Sequence, residues 1–254
     1  MHNITDAPGP LHEQVVLITG AAHRIGAQLA RTLHAEGARL VLHYRASREQ
    51  AHALQEELHA RRPDSVVLVR ADLLDHDALP AIIADAHSAW GRLDVLINNA
   101  SSFYPTPVGT VTEQEWDDLM GSNLRAPFFL SQAAAPHLRE RHGCIVNIVD
   151  IHADRPLKRY SVYSMAKAGL VMLTKALACE LGPEVRVNAV APGAILWPET
   201  DMDEVTKQRI ISRTFLKRQG SPDHIARAVL FLIRDADYTS GQVLNVDGGR
   251  SLNS

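Results

Sequence analysis

Val15-Val16-Leu17-Ile18-Thr19-Gly20-Ala21-Ala22-His23-Arg24-Ile25-Gly26 is the stretch that decides the fold. Its first four residues are apolar and mostly β-branched, the composition of a strand buried on both faces. A tight turn of glycine and small residues follows, and from Ile25 to Ala35 apolar residues recur at the three- and four-residue spacing of a helix. Strand, turn and helix in direct succession give a glycine motif its meaning, because free N–H groups at the helix start can face a pyrophosphate. Arg24 stands where a third glycine is expected, and a guanidinium beside such a turn can pair with an anionic oxygen.

The same alternation continues along the chain. Further strands are expected at Arg39–His43, Val66–Arg70, Val95–Ile97, Cys144–Val149, Val185–Val190 and Gln242–Val246, with the first running over Val15–Thr19. Helices are expected at Glu49–Ala60, Leu79–Ala89, Glu113–Leu138 and Tyr163–Leu181. Repeated strand–helix units imply an α/β fold: one doubly wound, Rossmann-type domain over 1–254. Its seven-stranded, mainly parallel sheet is covered by helices on both faces. Ligands of such sheets bind beyond the carboxyl ends of the strands. The segment 194–217 interrupts the alternation after Pro192-Gly193 and is a candidate lid, and residues 1–12 read as a polar arm without the features of a signal.

Composition narrows the function. The 254 residues are 46% hydrophobic, enough for a full core. The 26 basic and 29 acidic residues leave a net charge of -3 with no long cationic stretch, which argues against nucleic acid as partner. No apolar run is expected to approach membrane-spanning length. Cys144 and Cys179 are far apart, and the thirteen histidines form no HExxH pair or Cys/His cluster, so no metal site is expected and a reducing, cytoplasmic compartment fits.

The end of the second strand discriminates between the nicotinamide cofactors. A carboxylate there would bond the ribose hydroxyls of NAD and repel a 2′-phosphate. The run His43-Tyr44-Arg45-Ala46-Ser47-Arg48 has no acid and offers cations, a hydroxyl and aromatic edges, so NADPH is the expected cofactor, with Arg45 and Ser47 its main contacts. Asp72, after the third strand, either accepts from the adenine amino group or caps the following helix.

Tyr163 and Lys167 are four residues apart on one expected helix and share a face. A nearby ammonium favours phenolate, so Lys167 is expected to lower the Tyr163 pKa toward the working range of a general acid. Together with Thr19-Gly20, Gly26, Asn98-Asn99-Ala100, Asn123, Pro192-Gly193 and Asp247-Gly248-Gly249, this pair resembles the short-chain dehydrogenase/reductase family from Val15 to Gly249. The resemblance implies that Tyr163 is the acid, that Lys167 holds the nicotinamide ribose, and that Asn123 supports a proton-relay water. It further implies cofactor contacts at Gly20, Arg24, Ile25, His43, Tyr44, Asn99, Ala100, Ser101, Pro192 and Gly193, and a homotetramer.

Three departures from the general pattern bear on substrate: Arg24 for the turn glycine, Ser101 for the glycine after Asn-Asn-Ala, and Asp150 for the serine after the fifth strand, thirteen residues before Tyr163. With the run 99–107 and His43-Tyr44 they resemble the pteridine reductases. A carboxylate at 150 would repel a substrate carbonyl oxygen, but it can accept from pterin N–H groups or carry a proton to a ring nitrogen. Other readings make Asp150 a cap or a partner of Arg155. Phe103 either stacks on a flat heteroaromatic ring or packs its own loop. Arg24 and Ser101 would meet both phosphate and the pterin edge, and Trp197 is a candidate to close the pocket. The expected reaction is reduction of a C=N bond in dihydrobiopterin, dihydromonapterin or dihydrofolate. A 3-oxoacyl thioester reductase is the alternative, and a non-catalytic dinucleotide sensor a third reading. Some pteridine reductases reach a neighbouring site with a C-terminal arginine, and the position matched to it here is Ser254.

Overall fold

The computed structural model describes residues 9–197 and 202–253. Residues 1–8 of the expected arm, 198–201 of the expected lid, and Ser254 therefore lie outside the described residues. Seven strands form one sheet in the order β3-β2-β1-β4-β5-β6-β7. They are β1 (Val15–Ile18), β2 (Arg39–Tyr44), β3 (Val66–Arg70), β4 (Val95–Asn98), β5 (Cys144–Ile148), β6 (Arg186–Pro192) and β7 (Val243–Val246). Every pairing is parallel, so the sheet is wholly rather than mainly so.

Strand alternation divides the core in two. Val16 and Ile18 of β1, with Val95 and Ile97 of β4, pack beneath α1 (Arg24–Ala35), α2 (Arg48–His59) and α8 (Pro222–Arg234). Val15, Leu17 and Leu96 point the other way, toward α3 (Ala78–Ser88), α5 (Ala126–Glu140) and α6 (Ser161–Leu181). Successive side chains of a strand face opposite sides, and both sides are covered, which is why these strands read as unbroken apolar runs. Because β1 pairs with both β2 and β4, the chain reverses direction across the sheet at that point and opens a crevice at the carboxyl ends.

A buried polar chain ties the elements around that crevice. Asn98 Nδ2 donates to Asn147 Oδ1 of β5 at 2.8 Å, Asn147 Nδ2 to Thr174 Oγ1 of α6 at 2.9 Å, and Thr174 Oγ1 to the Leu170 carbonyl at 2.8 Å. Each bond joins side chains that could otherwise be buried only at a penalty, so the network fixes α6 against β4 and β5.

Two expectations need correction. The single helix expected over Glu113–Leu138 is α4 (Glu113–Met120), one wide turn (Gly121–Arg125) and α5. Ala126 N–H reaches back five residues to the Gly121 carbonyl, and Pro127 has no N–H to send to the carbonyl of Asn123, so the α-helical ladder slips there. Second, α6 is long and apolar enough by length and composition to cross a membrane, contrary to the expectation that no run would be. In this fold Leu170, Leu173 and Leu177 of α6 join the core, and half of its most apolar window is buried. The remaining helix, α7 (Glu204–Ser212), lies in the candidate lid.

Gly26 sits where α1 meets the turn after β1. A Cβ there would overlap the Gly20 carbonyl oxygen and lie 2.8 Å from both Ala21 Cα and Asn99 Nδ2. Gly26→Ala should therefore lower unfolding stability by about 1–3 kcal/mol, the range for overpacking a rigid site. In urea melts this would shift the midpoint at unchanged m, and an unaltered midpoint would show that the turn yields freely.

Candidate active site

The turn after β1 is held from three sides. Thr19 Oγ1 accepts the N–H groups of Asn99 (2.9 Å) and Ala100 (3.0 Å), while Asn99 Nδ2 donates to the carbonyls of Thr19 (2.8 Å) and Gly20 (3.0 Å). Gly20 has φ +62°, and a Cβ on it would meet Ala100 Cα at 2.9 Å, so backbone conformation and close approach both require glycine. The third support is His43, whose Nδ1 accepts Gly20 N–H at 3.2 Å and whose Nε2 faces the Ala71 carbonyl at 3.2 Å. Those partners define a neutral imidazole with its proton on Nε2. Burial pushes its pKa down to about 4, against smaller opposing effects of the Ala71 bond and Asp72.

The turn suits a dinucleotide phosphate. Among the described residues no side chain caps the start of α1, and its first turn carries no acid, which leaves its N–H groups suited to an anion. Arg24, at the expected glycine position, adopts φ +54°, the left-handed region that strains a residue with a Cβ. Its Nη2 donates to the Trp197 carbonyl at 3.3 Å, which brings the start of the candidate lid to the turn. Ile25 packs against the core beneath α1.

At the end of β2 the structure sorts the expected contacts. His43 and Tyr44 are 2% and 7% exposed, so their rings support the turn and the Ala22–Ala51 packing and do not present edges to solvent. Arg45 is exposed, with Nη1 4.0 Å from Asp72 Oδ1, and Ser47 stands at the head of α2 without making a capping bond. The capping reading of Asp72 fails, because α3 begins after Asp77, and among the described residues Asp72 Oδ1 accepts the nearby Leu74 N–H at 3.0 Å. Pro192 ends β6, and at Gly193 a Cβ would lie 2.6 Å from the Asp247 Cβ.

Asp150, Tyr163 and Lys167 come together across β5 and α6. Tyr163 Oη donates to Asp150 Oδ2 at 2.7 Å, while Asp150 Oδ1 accepts His152 N–H at 2.8 Å. The carboxylate thus caps the short turn Ile151–Ala153, one of the two structural readings of Asp150, and also touches the phenol. Arg155 does not pair with Asp150; its guanidinium donates instead to the Asn253 carbonyl. Lys167, 2% exposed, donates to the Ile148 carbonyl at 2.9 Å, and its Nζ is 5.7 Å from the centre of the Tyr163 ring.

This arrangement reverses one expectation. The Tyr163 pKa is raised well above that of a free phenol, first by burial and then by the Asp150 charge and hydrogen bond. Lys167 does not offset them; burial lowers its own pKa to about 8, although Asp150 pulls the other way. Asn123 lies in the wide turn, with Nδ2 donating to the carbonyls of Ser102 (2.9 Å) and Leu119 (3.0 Å). Its Oδ1 is buried with no partner among the described residues. Ser101 is exposed beyond β4, and Phe103 stacks on Tyr160 with ring centres 4.6 Å apart and meets Tyr163 edge-on at 4.8 Å. Tyr160 and Asp118 were not singled out from the sequence. Tyr160 carried a signal, an aromatic ring one helical turn before Tyr163, whereas nothing in the pattern around Asp118 marks its contacts.

A family profile described as enoyl-(acyl carrier protein) reductase matches residues 20–251. Pteridine reductase 1 of Leishmania tarentolae is 37% identical, over 94% of this chain and 96% of that protein. A 3-oxoacyl-(acyl-carrier-protein) reductase of Staphylococcus aureus is 38% identical, over 92% of this chain and 96% of that protein.

His43 gives the site a pH-dependent support. Its native pKa of about 4 lies below the ordinary 6.5, so between these values the unfolded chain binds the extra proton and stability rises with pH. His34, similarly lowered to about 4 by burial, adds a second proton of the same sign. His43→Gln should reduce the slope of unfolding free energy against pH by roughly 1 kcal/mol per pH unit on the acid side of neutrality. Urea melts in mildly acidic buffers measure that slope, and an unchanged slope would mean that His43 is already protonated in the native state.

Proposed function

The chain belongs to the short-chain dehydrogenase/reductase family of oxidoreductases, and from that premise we propose that it is an NADPH-dependent pteridine reductase, producing a tetrahydropterin from a dihydropterin. The observation that carries this reading is Asp150, whose carboxylate accepts the Tyr163 hydroxyl at 2.7 Å. A carbonyl substrate presents an acceptor, which a carboxylate repels; a pterin presents N–H donors and a ring nitrogen that needs a proton. Dihydrobiopterin, dihydromonapterin and dihydrofolate all share that edge.

NADPH would supply the hydride to the C=N carbon. The turn at Gly20, with Arg24 and Ile25, would take the pyrophosphate, Arg45 and Ser47 the 2′-phosphate, Asp72 the adenine amino group, and Lys167 the nicotinamide ribose. Asn99, Ala100, Pro192 and Gly193 would line the same crevice. Reduction leaves the ring nitrogen strongly basic, and the proton it takes comes from the pair formed by Tyr163 and Asp150. A phenol with a raised pKa keeps its proton until such a base develops beside it, and the phenolate left behind would regain a proton from water, with Asp150 placed to pass it on. The Lys167 ammonium, buried beneath the ring, stabilises the negative charge that passes through the phenol. Asn123 Oδ1, buried and unpaired, suits a water that resupplies protons. Phe103 would stack on the pterin, with Arg24 and Ser101 at its polar edge and Trp197 closing over it from a lid at 194–217. A cytoplasmic homotetramer completes the reading, and the exposed Phe231 of α8 and Leu244 of β7 suit its contacts.

The similarity to a 3-oxoacyl-(acyl-carrier-protein) reductase favours a second reading, reduction of a ketone in an acyl thioester. NADPH oxidation with a dihydropterin and with an acetoacetyl thioester separates the two. The pterin should be consumed and the thioester should not; turnover of the thioester alone overturns the proposal. With the pterin, Tyr163→Phe and Asp150→Ser should each lower kcat by about 100-fold or more, the scale of a lost proton-transfer group. Near-normal rates in either variant would remove that residue from the proton path.

A further inference from the structure

Ser102 and Tyr104 flank Phe103, and their side chains end on one carboxylate, Asp118 of α4. Ser102 Oγ donates to Oδ1 at 3.2 Å, and Tyr104 Oη donates to Oδ2 at 2.8 Å. Phe103, between them, faces the opposite way, onto Tyr160 and Tyr163. We propose that Asp118 is a positioning residue for the substrate: by holding both neighbours of Phe103, it fixes the plane of the ring against which a flat substrate lies.

The surroundings of Asp118 are built for this. Its backbone carbonyl accepts Ser122 Oγ at 2.7 Å, and the next residue, Asn123, donates through Nδ2 to the Ser102 carbonyl at 2.9 Å. Helix, wide turn and loop therefore close a ring of hydrogen bonds around one edge of the crevice. Among the described residues, the Asp118 carboxylate takes these two hydroxyls and forms no ion pair with a cation. Hydrogen bonds to an ionised acceptor are stronger than neutral ones, so the carboxylate grips both neighbours. Burial, followed by the bond and charge of Asp118, pushes Tyr104 up to about 12, so its hydroxyl remains a donor across the working range. The grip matters because Phe103 is 44% exposed and lies on a loop, where a ring without fixed neighbours samples several rotamers.

The inference rests on the proposed contact between Phe103 and substrate, and its test separates the two. Wild type, Asp118→Ala, Phe103→Ala and the double variant are assayed with dihydropterin at saturating NADPH. Asp118→Ala should raise KM about tenfold, the scale of a lost stacking contact, with a much smaller effect on kcat and an unchanged NADPH Kd. Phe103→Ala should do the same, and the double variant should be no worse than Phe103→Ala alone. Asp118→Asn, which keeps one acceptor, should recover part of the loss. Additive effects on KM in the double variant, or parallel losses in kcat and NADPH affinity, would overturn the positioning role. If Asp118→Ala fails to fold, Tyr104→Phe removes one of the two held hydroxyls and takes its place in the cycle. Failure of wild type to turn over the dihydropterin would instead remove the pterin reading, and the same cycle would then be read from the thioester KM, with non-additivity still required.

Discussion

The Thr19 hydroxyl does three things at the point where the sheet reverses direction. It donates to the Ile97 carbonyl at 3.3 Å and accepts the N–H groups of Asn99 and Ala100 at 2.9 and 3.0 Å. Two strands that part company at their carboxyl ends leave backbone groups without ladder partners, and a buried unpaired amide would cost about 1–3 kcal/mol. Thr19 satisfies two such amides and in doing so sets the separation between the glycine turn and the loop that carries Phe103. Asn99 reinforces the joint from the other side by donating to the carbonyls of Thr19 and Gly20. The joint between β1 and β4 is accordingly tied by side-chain hydrogen bonds from both sides.

The charge balance around Tyr163 follows from what touches its hydroxyl. Asp150 Oδ2 lies 2.7 Å from the phenol oxygen, whereas Lys167 Nζ lies 5.7 Å from the ring centre and gives its hydrogen bond to the Ile148 carbonyl. The Asp150 charge therefore adds to burial, the larger cause, in disfavouring phenolate. With serine in place of Asp150 the ammonium would have no competing charge, and the phenol would titrate lower. Replacing a neutral hydroxyl with a carboxylate thus changes two properties together: the hydrogen-bonding character of the group beside Tyr163, and how firmly Tyr163 holds its proton.

The strands were legible because they are buried on both faces, and every expected strand lies within two residues of an observed one at each end. The glycine turn was legible because strand and helix bracket it. The break in the helix expected at Glu113–Leu138 was not, since apolar spacing survives a one-residue slip and only Pro127 hinted at it. The Asp118 clamp was invisible for a different reason: its three residues belong to two elements and have no shared period. His43 was noted for its place at the end of β2, but whether a ring there faces a ligand or supports a turn depends on burial, which an alternating strand pattern assigns poorly when both faces are covered.

Asp150 also shows how a single side chain joins scaffold to chemistry. Its Oδ1 is held by the His152 N–H, a bond made by the turn that follows β5, so the orientation of the carboxylate is set by the backbone and not by the phenol. Oδ2 then meets the Tyr163 hydroxyl without having to search for it, and the remaining lone pairs are left for a donor. A serine at the same point could cap the turn or face a substrate, but its one oxygen would have to serve both. A carboxylate has two oxygens, and this geometry gives each a separate task. The bond to the His152 N–H is what keeps the second oxygen against Tyr163, so the capping reading of Asp150 leaves room for the proposed chemical one.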